Sequence, residues 1–164
     1  MDDLDVNLIK LWHNEPRIGV LEASRRLGVA RGTVQARLDR LARDGVITDW
    51  GPNLAPEALG FPVTAFLTLE IRQEPTATGG HDAVAAHLAA IAEVLEASTI
   101  TGAGDLWCRV VARSNADLQR VIDRALAHPA IVRSTTVIAL ATQIPYRTLP
   151  LAETARDRDD QPSR

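Results

Sequence analysis

The chain has 164 residues, of which 46% are hydrophobic, enough to form the core of one ordinary domain or two small ones. It contains nothing near the roughly eighteen consecutive apolar residues of a membrane span, and its acidic start does not resemble a signal peptide. Its single cysteine, Cys108, excludes an intrachain disulfide and a thiolate zinc cluster, so we expect a cytoplasmic protein with no membrane attachment.

The net charge of −3 hides an uneven distribution of charged residues. Between Pro16 and Arg43 there are seven arginines and two acidic residues, a local charge of +5, whereas residues 51–164 carry −3. One positive patch on a mildly negative protein indicates a single anionic partner surface, of the kind that a nucleic acid offers.

The first part of the chain has the apolar spacing of helices. Three helices are predicted, over Asp3 to about Asn14, about Val20 to Leu27 and about Arg31 to Arg43. Only Gly28 to Ala30 lies between the second and third helices, with Gly28 as the cap, and so tight a turn predicts a helix-turn-helix unit. Residues 46–50 then favour a strand, followed by a Gly-Pro turn, where a wing is expected.

A connector rich in proline and glycine separates this region from a second pattern. Alternating apolar residues predict strands over Val63–Ile71, Ser98–Thr101, Leu106–Arg113 and Ile131–Ile144, and helical spacing predicts helices over about Val84–Leu95 and from the Ser114 cap to Leu126. The resulting order, βαββαβ, is that of the ferredoxin-like fold.

The sequence therefore predicts an α+β protein in four parts. These are an N-terminal winged helix-turn-helix DNA-binding domain over residues 1–50, a hinge over 51–61, a C-terminal ferredoxin-like domain over 62–151, and a disordered tail over 152–164. Both helices of a ferredoxin-like domain pack on one face of its sheet, which leaves the other face uncovered. Apolar residues of the predicted sheet indicate an association surface there, and so a homodimer or a higher even-numbered homo-oligomer: Trp107, Val111, Val132, Ile138 and Leu140.

Five separated segments follow a known pattern in the same order. They are RLGVARGTVQARLDRLARDGVI, ITDWGPNLAPEALG, TGAGDLW, VRSTTVIAL and RTLPL, and with the opening helix they span about residues 2–151. In these segments the chain resembles the Lrp/AsnC family of bacterial and archaeal transcription regulators. The resemblance implies a RAM-type effector domain, sequence-specific binding of double-stranded DNA, and a small-molecule effector that we expect to be an amino acid or related metabolite. One departure is Ala30, where the family usually has a capping serine.

The third predicted helix is the one that enters the major groove in such a motif. Because its apolar residues face inward, its other side chains point outward or to the flanks. We expect the DNA-binding residues to be Arg25, Arg26, Arg31, Thr33, Gln35, Arg37 and Arg40. Among them, Arg25 and Arg26 are expected to contact phosphates, and the core is not expected to need the head of Arg37. The alternative is that these arginines form only a solvated helix face.

The hairpin sequence TGAGD is the candidate effector site. Gly102 and Gly104 permit positive φ and leave backbone N–H groups uncovered, which suits a small carboxylate, and Asp105 is expected to hold an ammonium group. In the family this loop lies at a subunit interface and binds amino acids, so the resemblance implies Gly102, Ala103, Gly104, Asp105 and Leu106 as effector-binding residues. Ser134 and Thr136, on the neighbouring strand, are expected to complete the pocket. The alternative is an ordinary tight hairpin with a turn aspartate.

Other functions have less support in the sequence. Cys108 is expected in the core, and His81 and His87 do not share a helix face, so we expect no catalytic residues, no metal site and no cofactor. One alternative is an enzyme similar to siroheme decarboxylases, which have the same architecture. Another is a sensing or oligomerisation protein whose helix-turn-helix is vestigial and no longer binds DNA.

Overall fold

A computed structural model of the chain describes residues 1–72 and 80–159, with side chains as far as Ala155. In this range the chain forms α1 (Asp3–Asn14), α2 (Val20–Leu27), α3 (Arg31–Arg43), β1 (Val63–Ile71), α4 (Gly80–Ala89), β2 (Val94–Thr99), β3 (Leu106–Ala112), α5 (Asn115–Ala125), β4 (Ile131–Ile138) and α6 (Leu149–Asp159). These elements form two compact units. One contains Met1–Pro52 and the chain from Ile144 onward, and the other contains Asn53–Gln143.

The first unit is built on α1, α2 and α3, whose bounds match the three helices predicted from the sequence. α1 begins with reciprocal hydrogen bonds: the Asp2 carboxylate accepts from the Asp5 N–H at 3.0 Å, and the Asp5 carboxylate accepts from the Asp2 N–H at 3.1 Å. α2 ends at Gly28, whose φ of +66° is the left-handed conformation of a helix cap. The tight turn that follows confirms the helix-turn-helix, and its core is formed by Leu8, Ala23, Val34 and Leu38.

The wing predicted at residues 46–50 does not form a strand. The first two N–H groups of this segment donate to the carbonyl of Leu41, which closes the end of α3. The Asp49 carboxylate accepts from the N–H groups of Trp50 and Gly51 and makes a local turn. A strand needs a partner, and the described part of this unit contains only helices, so local bonds satisfy the backbone instead.

The second unit is an antiparallel sheet with the strand order β2-β3-β1-β4, covered on one face by α4 and α5. This is the ferredoxin-like arrangement predicted from the order of the elements. Alternate residues of β1 are buried against the helices, with Leu67 and Leu69 fully enclosed. On β3, Cys108 and Val110 lie in the same core.

One boundary in this unit differs because a strand replaces the end of a predicted helix. The helix expected to reach Leu95 ends at Ala89, and β2 begins at Val94 rather than at Ser98. Val94 pairs with Val110 of β3, and Leu95 is exposed, so sheet pairing outweighs the helical spacing of the apolar residues here.

The last strand is also shorter than predicted. β4 was expected to reach Ile144 but ends at Ile138. Its partner β1 begins at Val63, and the N–H of Ala139 makes the last bond across, to the carbonyl of Thr64. Beyond that point β1 has no residues left to pair with, so the extended pattern in the sequence has no partner.

The tail predicted to be disordered over 152–164 is a helix as far as Asp159. α6 lies along α1, and Leu149 and Ala152 are partly buried. The segment has little apolar periodicity of its own, so its order depends on this tertiary contact, which composition alone does not reveal. Residues 144–151, predicted as part of the ferredoxin-like domain, cluster with the first unit. Residues 160–164 lie outside the described part of the chain.

The face of the sheet opposite α4 and α5 carries an aromatic pair. The rings of Phe66 and Trp107 are stacked, with centroids 5.4 Å apart. Val137 pairs with Phe66 and is exposed on the same face. Val111, which pairs with Thr64, is on this face too but is only 4% exposed, so it does not add to an exposed association surface as predicted. The other three residues predicted for this face do not form part of it with the aromatic pair. Ile138 lies on the helix side of the sheet, Val132 is exposed in the edge strand β4, and Leu140 lies beyond the end of β4.

Candidate DNA-binding and effector sites

The recognition helix α3 has one buried side and one exposed side. Its apolar side, which includes Val34 and Leu38, is packed in the core of the three helices. Arg31, Thr33 and Gln35 are exposed. Their exposure agrees with the outward or flanking directions predicted from the sequence, and their contact with DNA stays a prediction.

Arg37 and Arg40 have a different environment. Nη1 of Arg37 lies 2.9 Å from Oδ1 of Asp5, and Nη2 of Arg40 lies 2.5 Å from the same oxygen. Arg37 also forms an ion pair with Asp2. The side chain of Asp5 is only 1% exposed, so its charge depends on these guanidinium groups. The prediction that the core does not need the head of Arg37 is therefore wrong, because this head, although 29% exposed, holds a buried carboxylate of α1.

These contacts lower the pKa of both carboxyl groups. Burial alone raises the pKa of Asp5, but hydrogen bonds from Arg40, from the Asp2 N–H and from Arg37 outweigh burial and bring the pKa below its usual value of 3.8. The pKa of Asp2 is lowered first by the hydrogen bond from Arg37. Both carboxylates are thus charged near neutral pH, and the protein itself neutralises the two arginines.

The arginines at the end of α2 differ in how free they are. Arg26 places Nη1 at 2.5 Å from Glu15 and Nε at 3.1 Å from Glu22. Arg25 has only a loose contact with Glu22, at 3.9 Å, and its side chain is 70% exposed. Within the described residues, Arg31 of α3 has no acidic partner. Among the arginines predicted to bind DNA, Arg25 and Arg31 are therefore the most available to an external anion.

The hairpin between β2 and β3 contains two glycines with positive φ, +111° at Gly102 and +142° at Gly104. A side chain at Gly104 would overlap Cγ2 of Thr68 and lie 3.3 Å from the carbonyl oxygen of Leu69. This glycine is needed because the hairpin packs closely on β1. At Gly102 no atom lies within 4 Å of the place where a side chain would begin. Of the two glycines, only Gly102 leaves open space beside the backbone.

Asp105 ties the hairpin to the end of β1. Its N–H donates to the carbonyl of Leu69 at 2.9 Å, and its Oδ2 accepts from the N–H of Ile71 at 2.7 Å. One carboxylate oxygen is thus already used within the fold, and the predicted contact with an ammonium group falls to the other oxygen. Leu106 is 3% exposed and belongs to the core on the helix side, so its side chain does not line the hairpin surface as predicted.

Ser134 and Thr136 lie apart from the hairpin within one chain. They pair with Leu69 and Leu67 across the β1–β4 ladder, whereas Leu106 pairs with Leu69 from the other side of β1. A whole strand therefore separates β4 from the hairpin. The prediction that Ser134 and Thr136 complete the same pocket is not met within a single chain.

Two family models match the chain: the AsnC-type helix-turn-helix domain over residues 1–42 and the Lrp/AsnC ligand binding domain over residues 64–149. An uncharacterized HTH-type transcriptional regulator of Pyrococcus abyssi is 31% identical over 142 residues, which cover 87% of this chain and 87% of that protein. The chain belongs to the Lrp/AsnC family.

Solved structures of Lrp/AsnC proteins have the same fold. Escherichia coli AsnC is 25% identical with a TM-score of 0.81, and the match covers 92% of this chain and 99% of that one. The feast or famine regulatory protein of M. tuberculosis complexed with L-methionine is 26% identical with a TM-score of 0.76, and the match covers 90% and 97%. As an Lrp/AsnC protein, the chain is a DNA-binding transcription regulator, with α3 in the AsnC-type domain and the hairpin in the ligand-binding domain.

Sequence reasoning missed the partners of these Lrp/AsnC elements. Asp2 and Asp5 had a signal: two aspartates three residues apart at a helix start favour a capping box. Arg37 and Arg40 are also three apart, hence on one side of α3, which suits a shared anion. No signal in the sequence indicated the contact between Gly104 and Thr68, because these two residues are distant in the chain.

Other candidate groups fit a structural role. Cys108 is fully buried, and burial raises the pKa of its thiol to about 11, which opposes any use as a nucleophile. Within the part of the chain that the structure describes, no three His, Cys, Asp or Glu side chains are grouped so as to hold a metal ion. The helices of that part are all too short or too polar to cross a membrane.

Proposed function

We propose that this Lrp/AsnC regulator is a homodimer that binds operator DNA through the N-terminal half of α3. We further propose that it changes its DNA binding when an amino acid, or a related metabolite, occupies the hairpin of the ligand-binding domain. The observation that carries the first part is the exposure of Arg31, Thr33 and Gln35 on α3, none of which has a role in the core. We also expect such a regulator to work in the cytoplasm, and this location stays a prediction.

The base-reading roles fall to the exposed residues of α3. Arg31 can fork to the N7 and O6 atoms of guanine, and Gln35 can pair with the N6 and N7 atoms of adenine. Gln35 donates to Asp39 at 2.8 Å, an exposed bond that it can exchange for a base. Thr33 lies between them along the helix. Ala30 gives no side-chain cap, so the first N–H groups of α3 are open to a phosphate.

Arg37 and Arg40 have a positioning role in this proposal. Because they hold Asp5, they fix the rotation of α3 against α1 and so decide which side of α3 faces the groove. Arg25, which is highly exposed, is the better phosphate contact at the end of α2, and Arg26 contributes less because two glutamates hold it.

The dimer is supported by the uncovered face of the sheet. Phe66 and Trp107 stack there without cover from α4 or α5, and Val137 is 59% exposed beside them. An apolar face of this kind marks an association surface. Paired helix-turn-helix units bind two half-sites one helical turn or multiples of it apart, which a two-fold dimer provides.

The effector proposal rests on Gly102 and on the relatives. The open backbone beside Gly102 suits a small carboxylate, and the second oxygen of Asp105 suits an ammonium group. A related feast or famine regulatory protein is complexed with L-methionine, which makes an amino acid the first ligand class to test. A site that also includes Ser134 requires a second chain, in agreement with a dimer.

The DNA part is tested by selecting duplexes from a random pool with the purified protein and then measuring affinity by fluorescence anisotropy. We expect enrichment of a two-fold sequence, tighter binding to it than to a scrambled duplex, and loss of this preference in Arg31→Ala. Arg17→Ala, another exposed arginine that precedes α2, is the matched charge control. Failure of the wild type to enrich any sequence would reject sequence-specific DNA binding.

The effector part is tested by thermal shift against the amino acids, with L-methionine first. Ligand at a hundred times its dissociation constant adds about 2.7 kcal/mol of stability. We expect Gly102→Val to abolish the shift, because a side chain would fill the open space. A hit that stabilises the wild type and Gly102→Val equally would place the ligand elsewhere.

A further inference from the structure

The C-terminal helix α6 folds onto the DNA-binding unit. The chain leaves this unit after Pro52, forms the ligand-binding domain and returns at Ile144. α6 then lies along α1, and Lys10 of α1 forms an ion pair with Glu153 of α6. The DNA-binding unit is thus built from two segments that are far apart in sequence.

The contact between α1 and α6 involves a distinct side of α1. Lys10 is the only lysine of the chain. Val6, one turn earlier on the same side of α1, is 1% exposed but lies outside the core that Leu8 forms with α2 and α3. On α6, Leu149 and Ala152 are partly buried on the side of Glu153. An apolar stripe and one ion pair therefore accompany the docking of α6.

The same α1 carries the contacts that hold the recognition helix. Asp5, in its first turn, binds Arg37 and Arg40 of α3, and Asp2, its N-cap, binds Arg37. α1 therefore has α6 on one side and the paired arginines of α3 on another. The same helix thus contacts both α6 and the two arginines of α3.

We propose that α6 is a positioning element for DNA recognition. The pair of Lys10 and Glu153 keeps α1, and through Asp5 the recognition helix, in the orientation that binds operator DNA. The proposal rests on the proposed function, because it requires that α3 reads DNA. Since α6 follows β4 after the short segment 139–148, it also gives the ligand-binding domain a second covalent connection to the DNA-binding unit.

The first test is a charge exchange in the full chain, measured on the duplex selected by the wild type and on a scrambled duplex. We expect Lys10→Glu and Glu153→Lys each to lower operator affinity about three- to tenfold, and the double variant Lys10→Glu/Glu153→Lys to recover most of it. Affinity for the scrambled duplex and the salt dependence should stay as in the wild type.

Other outcomes of this exchange overturn the proposal. If Lys10 contacted a phosphate, Lys10→Glu would weaken binding to both duplexes, reduce the salt slope by about one, and gain nothing from Glu153→Lys. If the pair only stabilised the fold, melting temperatures would change while operator affinity stayed the same. If the wild type selected no duplex, the proposed function itself would fail. If the wild type selected a duplex and the variants bound it equally well, only the proposal on α6 would fail.

The second test uses the single lysine. A carbodiimide joins an ammonium and a carboxylate that are in contact, so it should link Lys10 to Glu153 within one chain, and peptide mass spectrometry should find that link. Lys10→Arg keeps the ion pair but cannot form the amide, and it is the control. The linked protein should bind the operator as the unlinked protein does. Absence of the link would contradict the docking of α6 on α1. A linked protein that has lost its preference for the operator would show that the docked form is not the one that binds DNA.

Discussion

The buried carboxylate of Asp5 and the guanidinium of Arg37, 2.9 Å apart, join the first helix to the recognition helix. Arg37 is therefore part of the fold of the DNA-binding domain, although it lies on the helix proposed to read DNA. Arg31, six residues earlier, is exposed and contributes nothing to that core. Of the three α3 arginines predicted to bind DNA, Arg37 and Arg40 thus form a structural pair, and only Arg31 is left free for the proposed contact with DNA.

This division predicts opposite behaviour for two alanine variants. Arg37→Ala removes hydrogen bonds to a charged group, so we expect the free energy of unfolding to fall by roughly 1.5–3 kcal/mol. The salt slope of DNA binding should not change. Arg31→Ala should leave stability within about 0.5 kcal/mol of the wild type and reduce the salt slope by about one or weaken base preference. Urea unfolding and anisotropy at several salt concentrations measure both effects, and a stable Arg37→Ala with a reduced slope would reverse the assignment.

The lowered pKa values of Asp2 and Asp5 predict acid sensitivity. A carboxyl group whose pKa is lower in the folded state than its unfolded value of 3.8 stabilises the fold above that value, and this stability is lost as pH falls through the folded pKa. We expect the wild type to lose stability below about pH 4, and Asp5→Asn to start less stable but to lose less over the same range. Urea unfolding by circular dichroism from pH 6 to pH 3 would show it.

The wild type and Asp5→Asn must be compared over the same pH range, because other carboxyl groups also contribute to the loss of stability in acid. The pKa of Glu93 is lowered by the hydrogen bond from Arg124, and the pKa of Asp117 by the N–H of Arg113, both in the ligand-binding unit. Asp117→Asn is therefore the control for the other unit. Parallel stability curves for the wild type and Asp5→Asn would show that Asp5 is not a source of the acid sensitivity.

The approximate bounds predicted for the three N-terminal helices agree with the structure because local signals set the ends of these helices. Gly28 has the left-handed conformation of a cap, and apolar spacing marks the buried side of each helix. The order of the ferredoxin-like elements was equally clear from periodicity. These features depend on residues close together in the chain, and local physics decides them.

The errors fall where distant residues decide the structure. Residues 46–50 have the composition of a strand but no partner, and α6 has the composition of a disordered tail but packs on α1. In the candidate sites, exposure of Arg31 followed from helical spacing, whereas the burial of Asp5 beneath Arg37 depended on how α1 packs on α3. The separation of Ser134 from the hairpin depended on strand order. None of these is visible to a local pattern.

The close packing of Gly104 on Thr68 predicts a compensating pair of substitutions. Gly104→Ala should destabilise the ligand-binding domain by roughly 1–3 kcal/mol, because φ is +142° and the new Cβ overlaps Cγ2 of Thr68. Thr68→Ser removes that methyl group, so the double variant should recover part of the loss. Gly102→Ala, with open space and only the backbone cost, is the matched control. Strict additivity of Gly104→Ala and Thr68→Ser in urea unfolding would contradict the contact.

The burial of Cys108 predicts an unreactive thiol. Because burial raises its pKa to about 11, very little thiolate exists at pH 8, and no solvent path reaches it in the folded state. Iodoacetamide at pH 8 should label the native protein very slowly and the urea-unfolded protein rapidly, as mass spectrometry of the intact chain would report. Complete labelling of the native protein within minutes would show that this core opens readily.

The missing cap of α3 predicts a stabilising substitution. Ala30 has the extended backbone of an N-cap residue, with φ −63° and ψ 145°, but no side chain that accepts from the first N–H groups of the helix. Ala30→Ser supplies that acceptor, so we expect the free energy of unfolding to rise by about 1 kcal/mol. Ala36→Ser, also exposed on α3 but within the helix, is the control and should be neutral or slightly destabilising. If phosphate satisfies the same N–H groups in the complex, Ala30→Ser should stabilise the free protein more than the operator-bound protein, and equal stabilisation of both would place the phosphate elsewhere.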